Sequence, residues 1–105
     1  KRGYYVRPTV FADVKPHMRI FREEIFGPVL SIIPFNTEEE AITLANNTEY
    51  GLTNYIQSQD RNRCQRIATQ LRSGMVEING YDLPDGSYFG GVKQSGRARE
   101  GGRWG

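Results

Sequence analysis

The stretch VLSIIPFNTEEEAITLANNTEYGLTNYIQ, residues 29–57, decides the fold class. It opens on an almost unbroken apolar run, 29–35, as expected of a strand covered on both faces. A helix follows. Asn36 or Thr37 can cap its N-terminus, and Thr37 to Glu40 has capping-box spacing. Glu38, Glu39 and Glu40 fall in the first turn, where the helix dipole favours negative charge. Ala41, Ile42, Leu44 and Ala45 form the apolar stripe, and Asn46, Asn47 and Gly51 end it. LTNYIQSQ (52–59) then reads as a second strand.

Moving outward, Asp60 can cap a second helix, DRNRCQRIATQLRSG, that Gly74 is expected to terminate. Its stripe is Cys64, Ile67, Ala68 and Leu71. MVEIN (75–79) is a third strand. Strand, helix, strand, helix, strand calls for a parallel sheet with crossover helices. The expected fold is therefore α/β, a small, mainly parallel three-stranded β-α-β-α-β core of 29–35, 53–59 and 75–79. An extended N-terminal segment, 4–14, precedes it, with Pro8 pointing to an edge or irregular stretch. Residues 15–28 show no clean period and read as a loop with a short turn. The Gly-rich tail, 80–105, reads as irregular.

At 105 residues the chain has room for one small domain. Its charged share of 25% is average for a soluble protein, which argues against global disorder. The net charge of +2 is too small to name a partner. With one cysteine, Cys64, no internal disulfide is possible, and a reducing, cytoplasmic setting is expected. No apolar run approaches the roughly 20 residues that span a membrane. The chain opens on KRGYYVRPTVF without a starting Met and closes on GGRWG, which leads us to expect a piece of a longer protein.

Glu23 and Glu24, in FREEIFGPVL, are the first candidates for chemistry. Adjacent residues on an extended segment point to opposite sides, so at most one can face a site. Spacing alone leaves open whether one does, or whether both are solvated loop acids. Cys64 sits among Ile67, Ala68 and Leu71 and reads as a small core hydrophobe rather than a nucleophile. One Cys and one His, His17, make no metal-ligand cluster. FGGVKQSGRAREGG (89–102) is not a P-loop, because Arg97-Ala98 stands where Lys-Ser/Thr is required. Of two readings of this tail the first is preferred, and no nucleic-acid partner is expected. One is a packed loop whose glycines permit tight turns. The other is a single-strand nucleic-acid binder using Lys93, Arg97, Arg99, Arg103 and Trp104.

EEIFGPVL, EEAITLANNTEYGLTNYIQSQD, SGMVEING and YFGGVKQSGRAREGGRWG, in this order and spacing, resemble the C-terminal part of the aldehyde dehydrogenase superfamily. GYYVRPTVF resembles the stretch upstream, so the likeness covers essentially all of 1–105. It implies an NAD- or NADP-dependent oxidation of an aldehyde to a carboxylic acid. Glu24 matches the acid that holds the nicotinamide ribose hydroxyls, Phe26 the aromatic beside the nicotinamide, and Phe89 a residue lining the substrate channel. Two departures stand out. Tyr88 replaces a frequent proline, which bears on channel shape, and Ala98 replaces a glycine. The resemblance implies a nucleophilic cysteine in G-Q-x-C and a general base in E-L-G-G, and neither motif occurs here. The chain by itself is thus expected to lack catalytic residues and turnover. As a part of a homo-oligomeric enzyme, or as a structural piece, it is expected to bury apolar faces by associating with other chains or with itself.

Overall fold

The computed structural model describes residues 2–81 and 84–103. The chain divides into two compact units, Lys1–Ala41 and Ile42–Gly105.

In the first unit the chain after Pro8 runs straight into strand β1 (Thr9–Phe11). β1 pairs in parallel with β2 (Val29–Ser31), in the register Thr9↔Val29, Val10↔Leu30 and Phe11↔Ser31. Backbone bonds extend the ladder at both ends: Thr9 N–H to the Pro28 carbonyl at 2.9 Å, Ile32 N–H to Phe11 at 2.8 Å, and Val14 N–H to Ile32 at 3.1 Å. Val14 is the buried hydrophobic residue of this unit. A single helical turn, α1 (Arg19–Arg22), lies between the strands, in the region without a hydrophobic period.

α2 (Glu38–Asn46) begins in the first unit and ends in the second. Thr37 Oγ1 accepts the Glu40 N–H at 3.1 Å, the first half of a capping box. The return half is displaced by one residue: Glu40 Oε2 accepts from the Asn36 N–H, at 2.8 Å, instead of from Thr37.

The second unit is a β-α-β unit. β3 (Thr53–Ile56) and β4 (Met75–Ile78) pair in parallel, Thr53 opposite Met75 and Ile56 opposite Ile78. Between them runs α3 (Arg61–Ala68), where Asp60 caps by accepting the Arg63 N–H at 3.0 Å. Ile56, Cys64 and Met75 are buried, and Cys64, at 1% exposure, is the core hydrophobe its stripe predicts. The end of α2 is tied in by one side chain. Asn46 donates to the Gln70 carbonyl at 2.9 Å and accepts from the Arg72 N–H at 2.7 Å.

The α/β class with parallel strands stands, but the expected three-stranded sheet does not form among the described residues. They make two sheets of two strands, β1–β2 and β3–β4. Apolar runs identify strands but not the ladder each completes. The segment 9–11, held extended after Pro8, carries N–H and C=O groups that need partners, and it takes β2. β2 is also shorter than 29–35 and is not covered on both faces, since Leu30 is 57% exposed. A second correction concerns Gly74. α3 ends at Ala68, with Thr69 and Gln70 closing the last turn onto Gln65 and Ile67. Gly74 serves a different need: a β-carbon there would collide with the Gly90 carbonyl oxygen.

Candidate functional site

The first group of candidates sits on the connection between α1 and β2. Glu23 is the residue at which α1 gives way to extended backbone, and its N–H still donates to the Arg19 carbonyl, at 2.9 Å. One turn back, Arg19 meets it with a two-pronged ion pair, Nε at 2.9 Å and Nη2 at 2.8 Å. This fork is the geometry in which guanidinium and carboxylate fit best. Hydrogen bonding from Arg19 holds the Glu23 carboxyl below its ordinary range, and Glu23 raises Arg19 in turn. Arg22, the other nearby cation, donates from Nε to the Pro16 carbonyl at 3.0 Å.

Glu24 is treated differently. Its carboxylate is exposed and has no partner among the described residues, so both oxygens are open to an incoming donor. Two residues on, Phe26 is 95% exposed with φ at +52°, an uncommon conformation for an aromatic residue. Gly27 and Pro28 turn the chain, with the Val29 N–H bonded to the Gly27 carbonyl at 2.7 Å, and β2 begins. The two neighbouring acids therefore part: one is spent on an internal pair and one is open. Arg19 was readable in advance, since it stands four residues before Glu23 on a helical turn.

Phe89 belongs to the second unit. It lines a shallow cavity of about 130 Å³ with Thr53, Tyr55, Met75 and Glu77. Those four are alternate residues of β3 and β4 and share one face of the sheet. A two-bond antiparallel bridge to Glu100, 2.8 Å each way, fixes the Phe89 backbone.

The rest of the tail is a packed loop whose glycines lie where backbones cross. Arg99 Nη1 donates to the carbonyls of Gly91, Ala98 and Arg97, at 2.7, 3.0 and 3.1 Å. Lys93 Nζ donates to the carbonyls of Asn46 and Thr48, at 3.2 and 3.1 Å, complementing the C-terminal end of the α2 dipole. Two cations of the nucleic-acid reading are thus engaged within the chain, and Trp104, on which it also drew, lies outside the described residues. Cys64 is buried, with Sγ 3.7 Å from the Ser58 carbonyl oxygen, whereas His17 is exposed. Among the described residues no group of three or more His, Cys, Asp or Glu could hold a metal ion.

Comparison with known proteins gives the class: the aldehyde dehydrogenase family profile matches residues 1–105, and the chain belongs to that family. It is 84% identical to an aldehyde dehydrogenase from Bartonella henselae, with a TM-score of 0.96 over 99% of this chain and 22% of that one. An aldehyde dehydrogenase from Mycobacterium tuberculosis, solved with NAD+, is 49% identical with a TM-score of 0.92, over 97% of this chain and 21% of that one. Among curated relatives, geranial dehydrogenase of Castellaniella defragrans is 54% identical, over 94% of this chain and 21% of its own length. Peroxisomal aminoaldehyde dehydrogenase 1 of Pisum sativum is 49% identical, over 100% and 21%. The chain thus spans about a fifth of the relatives it matches. None of these findings supports the nucleic-acid reading.

Proposed function

We propose that this chain forms part of the cofactor and substrate site of an NAD(P)-dependent aldehyde dehydrogenase, which oxidises an aldehyde to a carboxylic acid. Glu24 accepts hydrogen bonds from the vicinal hydroxyls of the nicotinamide ribose, for which two anionic acceptor oxygens are well matched. Phe26 flanks the nicotinamide, and Phe89 lines the channel to the reacting carbon. The nicotinamide cofactor, NAD or NADP, supplies the hydride acceptor. The part of these residues is to bind and orient. The nucleophile and general base come from sequence outside this stretch, since the motifs that carry them are absent here. The exposed Val10 and Leu30 of the β1–β2 sheet favour burial against further chain, in a homo-oligomer or by self-association. A lone, unpaired thiol favours a reducing, cytoplasmic setting.

One observation carries this reading: the Glu24 carboxylate is left unpaired while its neighbour is tied to Arg19. The test is a graft of residues 1–105 in place of the matching stretch of the Bartonella enzyme. A charge-assisted hydrogen bond is worth about 1.5–3 kcal/mol. Glu24→Gln should then lower kcat/KM for NAD(P)+ by about 10- to 100-fold, with unchanged expression and melting. Full cofactor efficiency in the Gln variant would sink the assignment.

A further inference from the structure

We propose that Tyr88 is a positioning residue: clamped between the Arg99 guanidinium and the Gly74 carbonyl, it sets the direction in which the Phe89 ring meets the β3–β4 face. This rests on Phe89 as a channel residue and deepens that reading, because position 88 then controls the shape of the channel wall.

The argument begins with the backbone. The bridge to Glu100 keeps the chain extended at Phe89. Successive side chains leave an extended backbone in opposite directions. Whatever holds the side chain of residue 88 therefore also fixes the roll of the chain that aims residue 89. A proline at 88 would constrain that roll through its own ring. Tyrosine has no such lock, and its orientation has to come from tertiary partners.

The structure provides two. The Arg99 guanidinium carbon lies 4.8 Å from the centre of the Tyr88 ring, well within cation–π range. That guanidinium is itself anchored, since Nη1 is shared among the carbonyls of Gly91, Ala98 and Arg97. At the far end of the ring, the Tyr88 hydroxyl donates to the Gly74 carbonyl at 3.2 Å. Gly74 immediately precedes Met75, one of the four sheet residues around Phe89. The residue that leads into the strand of the cavity wall thus also holds the tyrosine, and ring and wall keep a fixed relation.

The test uses the 105-residue chain and nuclear Overhauser effects from the Phe89 ring to the Met75 methyl and the Thr53 side chain. Tyr88→Ala should abolish these cross-peaks while the amide signals of β3, α3 and β4 keep their wild-type positions. Tyr88→Phe, which retains the stacked ring, should restore them. Arg99→Gln should remove them as Tyr88→Ala does, and it decides the matter if the alanine variant unfolds. Cross-peaks that survive in the folded Tyr88→Ala or Arg99→Gln chain overturn the proposal. So does collapse of both variants, which would make the pair a folding element. Failure of the channel reading would look different: in the grafted enzyme Phe89→Ala would leave the aldehyde KM unchanged, with the cross-peaks of the parent chain intact.

Discussion

Replacing Gly74 by alanine tests the packing of the tail on the β-α-β unit. The new methyl would stand 2.7 Å from the Gly91 Cα and 2.8 Å from the Gly90 carbonyl carbon, and closer still to the Gly90 oxygen. All three are backbone atoms, so no side chain can swing aside. The crossing segment is also held from elsewhere. The Val92 N–H bonds to the Gly51 carbonyl at 2.9 Å, Arg99 holds the Gly91 carbonyl at 2.7 Å, and Gly74 itself donates to Gly51 at 3.0 Å. Relief requires moving residues 90 and 91 off these partners. Overpacking costs about 1–3 kcal/mol, and a clash confined to anchored backbone belongs at the upper end, about 3 kcal/mol. With a urea slope of roughly 1–3 kcal/mol per M, the unfolding midpoint should fall by about 1–3 M, followed by circular dichroism. Gly27→Ala is the control. Its nearest neighbour would be the Ile25 Cγ2 at 3.8 Å, an ordinary contact, and the substitution should be neutral or stabilising by roughly 0.4–1 kcal/mol. Equal midpoints for Gly74→Ala and wild type would refute the close crossing of the two backbones.

Other outcomes follow from single contacts. Asp60→Ala removes the acceptor for the Arg63 N–H; the loss of about 1 kcal/mol should speed hydrogen exchange in the first turn of α3 about fivefold. In a carboxyl-carbon NMR titration Glu23 should ionise below the ordinary glutamate value, and Arg19→Gln should return it there, because the hydrogen bonds from Arg19 cause the shift. The sign follows: a depressed carboxyl contributes stability that is present above its unfolded pKa and is lost as pH falls through the folded value. Added salt should shrink the difference, since both partners are exposed. The chain alone, given an aldehyde and NAD(P)+, should produce no reduced nicotinamide, because its one thiol is buried and no motif for the nucleophile is present.

Local features were legible in the sequence because they depend on neighbours a few residues away. Asp60 caps the helix it was expected to cap, Thr37 is the one of the two offered residues, Asn36 or Thr37, whose side chain accepts the Glu40 N–H, and α2 ends at Asn46. Cys64 was placed in the core by its three- and four-residue spacing alone. Pairing over distance was not legible. Nothing in TVF or VLS says that they share a ladder, because three-residue strands with mostly exposed side chains carry no alternation to read. Gly74 was misassigned for the same reason: its need for a hydrogen in place of a side chain arises from Gly90, sixteen residues further on. At the candidate site, the pairing of Glu23 follows from Arg19 standing four residues before it on a helical turn, which the spacing of the two residues makes readable. The role of Tyr88 depends on the Gly74 carbonyl and on Arg99, and only the folded chain brings these together.

The burial of Cys64 gives the protein a built-in reporter. Since it is the one thiol in the chain and its sulfur faces the Ser58 carbonyl under α3, an alkylating reagent has a single address and reaches it only when that helix lifts. The labelling rate therefore clocks the opening of the β-α-β unit without any engineered probe.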